Sequence, residues 1–159
     1  MTKELYKPSA KTISSSFINE NDYHDMYKLS VEDPENFWRE QANSLEWIKP
    51  FSIVKETSIA APNVSIKWFE DGRINASANC IDRHLPEKAD DVAIIWESDD
   101  PSVDKKISYK ELHENVCNLA NVFKGLGVTT GDRIILYLPM IPQAAYAILA
   151  SARIGAVHS

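Results

Sequence analysis

The chain has 159 residues, of which 44% are apolar, 9% aromatic and 25% charged, with 5 glycines and 8 scattered prolines. These proportions fit a globular chain and exclude collagen, Gly/Ser linkers and low-complexity tracts, and no internal repeat is visible. The net charge of −6 is unevenly held, with 11 basic against 19 acidic groups in residues 1–100 and 6 against 4 in residues 101–159. Lys105-Lys106 is the only adjacent basic pair. A nucleic-acid surface needs clustered cations to replace phosphate counterions, so no nucleic-acid partner is expected.

The first twenty residues show no periodicity and hold Pro8, Ser9 and the run Ser14-Ser15-Ser16, which predicts a disordered or docking arm over residues 1–20. They also hold Lys3, Lys7 and Lys11 without an apolar stretch, so no secretory leader is expected, and Cys80 and Cys117 are expected as free thiols in a reducing, cytoplasmic compartment. From Asn21 the positions Tyr23, Met26, Tyr27 and Val31 approximate helical spacing. Asp33-Pro34 then restarts a helix, with an acidic cap and proline at its first position, and Phe37, Trp38, Ala42 and Leu45 supply core side chains.

The period changes after Phe51. Val64, Ile66 and Trp68 alternate with polar residues, and Asp71-Gly72 before Ile74 predicts a small β-hairpin turning there. Asn75 caps a predicted helix through Ala78, Ile81 and Leu85 that Pro86 ends, and Val92 to Trp96 reads as a buried strand. Ser108 and Glu111 form a capping box ahead of a long helix carrying Leu112, Val116, Leu119 and Phe123, with Gly125 and Gly127 at its end.

Residues 134–152 run without a charge for nearly the length of a membrane span, but Pro139 and Pro142 divide the run. The reading is a strand over Arg133–Leu138 and a helix over Pro142–Arg153, closed by Gly155, with no membrane insertion. A second strand opens at Ala156-Val157, making a parallel strand–helix–strand crossover that has barely resumed at Ser159. In open parallel sheets ligands bind beyond the carboxyl ends of the strands, so the loop expected to carry chemistry lies after Ser159.

Chemistry-bearing motifs are sparse. There is no phosphate loop, no dinucleotide fingerprint and no serine elbow. Cys80 with His84 and His113 with Cys117 are two i, i+4 pairs able in principle to hold zinc, but they lack the tight turn of a metal knuckle. Asp90-Asp91 and Asp99-Asp100 lie among turn signals and read as caps rather than acid–base pairs, and His158 reads as a packed residue of the last strand.

Five runs nevertheless recur in a familiar order: Asn63-Val-Ser-Ile-Lys-Trp-Phe69, Ala78-Asn-Cys-Ile-Asp-Arg-His-Leu85, Val92-Ala-Ile-Ile-Trp-Glu97, Ile107-Ser-Tyr-Lys-Glu-Leu-His113 and Ala152-Arg-Ile-Gly-Ala-Val-His-Ser159. From about Asn21 onward the chain resembles the N-terminal part of the AMP-forming acetyl-coenzyme A synthetases. The resemblance implies an α/β fold, with a helical and β-hairpin extension over residues 21–88 and the first strand–helix–strand units of the large adenylate-forming domain over residues 89–159, truncated.

It implies a two-step acetate–CoA ligase: acetate attacks Mg-ATP to give acetyl-adenylate and pyrophosphate, and coenzyme A then displaces AMP. The family's phosphate loop, acyl pocket, ribose-binding aspartate and adenylation lysine all lie downstream of Ser159. No catalytic, cofactor-binding or metal-binding residue therefore carries over, and the segment alone is expected to be inactive and to bind neither Mg-ATP nor coenzyme A tightly. Its expected partner is the remainder of its own chain. A propionate–CoA ligase of the same family and a free-standing, non-catalytic interaction module are the alternatives.

Overall fold

The computed structural model describes residues 6–159. In chain order the elements are helices α1 (Ala10–Ser15), α2 (Glu20–Glu32) and α3 (Pro34–Ala42), strands β1 (Trp47–Lys49), β2 (Lys55–Ser58), β3 (Ser65–Trp68) and β4 (Arg73–Ile74), and helix α4 (Ala76–Cys80). A 3₁₀ turn (Asp82–His84), helix α5 (Leu85–Lys88), strands β5 (Val92–Glu97) and β6 (Asp104–Ser108), helix α6 (Tyr109–Gly125), strand β7 (Arg133–Ile134), helix α7 (Pro142–Ile154) and strand β8 (Val157–His158) follow. No described helix is long and apolar enough to cross a membrane.

Two compact units form. The first contains the residues up to Leu45 together with Ile53–Glu70, and the second contains Glu46–Ser52 together with Asp71–Ser159. The chain thus passes between the units three times.

In the first unit the expected arm gains a short helix, α1, because the Ser9 hydroxyl accepts the Thr12 amide; none of its residues is buried. Residues 1–5, the start of that arm, lie outside the described residues. A capping box starts α2: Asn19 accepts the Asn21 and Asp22 amides and the Asp22 carboxylate accepts the Asn19 amide. Asp33 ends α2 and begins α3, accepting the Asn36 amide ahead of Pro34, as the sequence predicted. Phe37 and Ala42 are buried, whereas Trp38 is partly exposed and meets the Trp68 ring edge-on at 5.9 Å.

The hairpin expected to turn at Asp71-Gly72 does not form. Strand β3 pairs instead with the upstream β2, Lys55 opposite Trp68 and Ser58 opposite Ser65, while Ile74 of β4 pairs with Trp47 of β1. The tight turn favoured by Asp-Gly needs positive φ at both central residues, and among the described residues Gly72 is not one of the positive-φ positions. Its role is steric: a Cβ there would stand 2.6 Å from Cζ3 of Trp47. The Asp71 carboxylate accepts the Ser52 amide (2.9 Å) and hydroxyl (2.6 Å), holding together the chain segments that enter and leave β1 and β4.

In the second unit the Asn75 cap is present, but the helix it starts stops at Cys80 and gives way to the 3₁₀ turn. Pro86 opens α5 rather than ending a helix, because an amide missing from the first turn costs no hydrogen bond. Strand β5 pairs antiparallel with β6, which the sequence concealed behind Asp104-Lys105-Lys106; only Ile107 of β6 is buried. Half of β5 is correspondingly open, with Ile95 exposed, so it is not the buried strand expected.

The Ser108–Glu111 box caps α6 as predicted. Strands β7 and β8 are parallel, Arg133 opposite Val157 and Ile134 opposite His158, with α7 between them in the chain. The β7 ladder is shorter than the expected Arg133–Leu138, and Ile135 and Tyr137 stand in solvent. The core gathers Ile81, Ile107, Leu112, Val116, Ala120, Tyr146 and Ala150 from the 3₁₀ approach, β6, α6 and α7.

Candidate functional site

A polar grouping of the second unit lies where the 3₁₀ turn meets α6 and α7. Arg153, in the last turn of α7, donates from both terminal nitrogens to Asp82, at 2.6 and 2.7 Å. This fork matches the planar guanidinium to the two carboxylate oxygens. The guanidinium holds the Asp82 carboxyl below its ordinary range, with nearby His113 a lesser cause, and Asp82 in turn raises Arg153.

His113 Nε2 stands 3.5 Å from Asp82 Oδ1, 3.4 Å from Arg153 and 3.4 Å from Cys117 Sγ. One ring nitrogen therefore faces all three groups. A nucleophile–base–acid relay needs the thiol and the carboxylate on opposite nitrogens of the imidazole, so this is not a catalytic triad.

The end of α7 is held a second way. Asn75 uses its oxygen to accept the Ala78 amide at the start of α4 and its Nδ2 to donate to the Ala152 and Arg153 carbonyls. Thr130 donates to the Ile154 carbonyl. Carbonyls that a helix leaves orphaned at its C-terminus are thereby satisfied by side chains from distant segments.

The two i, i+4 pairs that could in principle have held zinc do not come together. His113 and Cys117 share a face of α6, but Cys80 ends α4 exposed and His84 lies beyond the helix against the Tyr109 ring at 5.1 Å. Among the described residues, no group of three or more His, Cys, Asp or Glu side chains is arranged to hold a metal ion. Asp100 is a turn residue accepting the Ser102 amide and hydroxyl, and the Asp91 carbonyl accepts the Tyr109 amide ahead of α6. His158 is exposed rather than packed, because β8 has a partner strand on one edge only among the described residues.

The second unit also has an apolar cleft of about 570 Å³, lined by Leu119 and Phe123 of α6, Ile134–Leu138, and Gln143 and Ala147 of α7. Tyr137 and Met140 are almost wholly exposed along the same segment. Trp96 anchors that segment by donating from Nε1 to the Met140 carbonyl at 2.8 Å. None of the side chains that line the cleft is charged.

Family models cover the chain from residue 23 onward: the N-terminus of acetyl-coenzyme A synthetase matches residues 23–80 and the AMP-binding enzyme matches residues 81–159. The acetyl-coenzyme A synthetase of Parvibaculum lavamentivorans is 55% identical over 100% of this chain and 25% of its own length. The chain belongs to the acetyl-coenzyme A synthetase family. It spans about a quarter of the length of the curated relatives it matches.

The acetyl-coenzyme A synthetase of Methylorubrum extorquens is 57% identical over 91% of this chain and 22% of its own length. Among solved structures, acetoacetyl-CoA synthetase from Streptomyces lividans superposes with a TM-score of 0.80 at 26% identity, covering 96% of this chain and 25% of that one. The seam between the two family models, at residues 80 and 81, does not coincide with the seam between the two structural units. Within this family member, Asn75 from the first model and Asp82 from the second both grip α7.

Proposed function

We propose that this chain supplies the N-terminal part of an AMP-forming acetate–CoA ligase, which makes acetyl-CoA from acetate, Mg-ATP and coenzyme A through acetyl-adenylate and works in the cytoplasm. Residues 21–88 are its extension, and residues 89–159 open its AMP-binding domain. The observation that carries this reading is identity of 52–57% to proteins named acetyl-coenzyme A synthetase over 91–100% of the chain. No feature favours a propionate ligase or a non-catalytic module.

The segment contributes framework, not chemistry: none of its residues acts as nucleophile, acid, base or ligand to the substrates. The exposed apolar cleft beside β7 supports this division, because apolar area of that kind is ordinarily buried against further chain, here the remainder of the large domain. Neither nucleic acid nor membrane has a role in this reading.

Acetate-dependent exchange of pyrophosphate into ATP tests it. The 159-residue chain is expected to show none, whereas a polypeptide continuing through the whole adenylate-forming domain is expected to show exchange with acetate ahead of propionate. Exchange by the 159 residues alone would overturn the framework role, and a full-length protein inert toward acetate would overturn the ligase.

A further inference from the structure

We propose that Cys117 is a thiol–disulfide exchange site for small anionic disulfides, formed by the His113–Cys117 pair and the cationic cavity beside it. This goes beyond the ligase reading and does not depend on it. The cavity, about 250 Å³, lies along the last turns of α6 and α7 and is lined by Cys117, Asn121, Lys124 and Arg153 over an apolar floor of Ala120 and Ile154. Its lining brings together a free thiol, two cations and an amide, and His113 adjoins the thiol. The thiol is half-buried and 3.4 Å from His113 Nε2. Arg153 is fixed by its fork to Asp82, and Lys124 is an exposed side chain of the lining.

Only the thiolate attacks a disulfide sulfur, so exchange is promoted where a base takes the proton and cations hold the anion. The step balances within the two reactants. The Cys117 proton passes to His113 Nε2, Cys117 Sγ bonds to one sulfur of the incoming disulfide, and the other sulfur leaves with the bonding pair and is protonated from His113 or water. One disulfide is consumed and one mixed disulfide and one thiol are produced, with no further oxidant. Carboxylates on the incoming molecule meet Lys124 and the Asn121 amide. Cys80, exposed at the end of the five-residue α4 and without this neighbourhood, is an internal reference in the same molecule.

The test compares Cys80→Ser and Cys117→Ser proteins, each with a single thiol, against dithiobis(nitrobenzoate), which carries two carboxylates, and neutral dithiodipyridine. The ratio of the anionic to the neutral rate is expected to be about fivefold higher at Cys117 than at Cys80, and to fall by about that factor on adding Lys124→Glu, the scale of one contact charge in a largely aqueous setting. Equal ratios at the two thiols, or a ratio indifferent to Lys124→Glu, would overturn the proposal. A second measurement needs no substitution: brief exposure of the unaltered chain to glutathione disulfide, followed by peptide mapping, is expected to place the first adduct on Cys117. An adduct appearing first on the more exposed Cys80 would refute it.

Discussion

Replacing Asp82 by Asn removes the carboxylate that receives both terminal nitrogens of Arg153 at 2.6 and 2.7 Å. Hydrogen bonds to charged groups contribute about 1.5–3 kcal/mol when desolvated. The Asp82 and Arg153 side chains retain 34% and 23% of their exposure, so water screens the pair toward the roughly 1 kcal/mol of exposed ion pairs. Adding the cost of leaving Arg153 unpaired, we expect Asp82→Asn to lose about 2 kcal/mol, or roughly 4–8 °C in a domain of this size.

A cycle with Arg153→Met, which keeps the apolar stem, isolates the pair itself, and the expected coupling is about 1 kcal/mol. Urea unfolding followed by far-UV circular dichroism, which reads α6 and α7, measures it. Because the folded-state pKa of Asp82 is depressed, its stabilisation is full above the ordinary carboxylate value of about 3.9 and is lost as pH falls from there through the folded-state value. The coupling should therefore be present at neutral pH and vanish in strong acid. A neutral-pH coupling below about 0.3 kcal/mol, or one that survives in acid, would refute the assignment of Arg153 to Asp82.

Gly155 closes α7 at φ 75°, and a Cβ there would meet Cγ2 of Thr130 at 3.0 Å. Gly155→Ala is expected to cost about 1–2 kcal/mol in the same urea titration, and an unchanged midpoint would contradict the left-handed cap. Ser77 is fully buried in α4 and its hydroxyl has no hydrogen-bond partner. Removing an unsatisfied buried polar atom relieves a desolvation cost, so Ser77→Ala should be neutral or stabilising by up to about 1 kcal/mol; destabilisation beyond that size would mean the hydroxyl has a partner.

Features set by short stretches were legible in the sequence. The Asp33-Pro34 restart, the Ser108–Glu111 box and the Gly155 stop each depend on a cap within four residues, and all three stand as read. The parallel crossover was also legible, because strand, helix and strand follow one another without interruption. The strand pairing in the first eighty residues was not. Asp71-Gly72 carries a local turn signal, but what decides its geometry is a tryptophan ring twenty-five residues upstream and a serine on the far side of β1.

The polar grouping was half legible. The i, i+4 spacing of His113 and Cys117 put them on one face of α6, whereas nothing near Asp82 announces Arg153, 71 residues away. Strand β6 escaped because its outward face is charged and its single buried side chain, Ile107, sits beside the helix cap.

The path of the chain has a consequence for anyone who would recombine members of this family. A splice at residue 80, where one family model gives way to the next, would take Asn75 from one parent and α7, whose last carbonyls it holds, from another. The structure offers other joints: Leu45 to Glu46, Ser52 to Ile53 and Glu70 to Asp71, where the chain leaves one unit for the other. Exchanging residues 53–70 together with everything before 46 moves a whole folded unit, and what remains keeps the β1–β4 pair intact and Asn75 on the end of α7. The cassette that travels as one folded unit is therefore discontinuous in sequence.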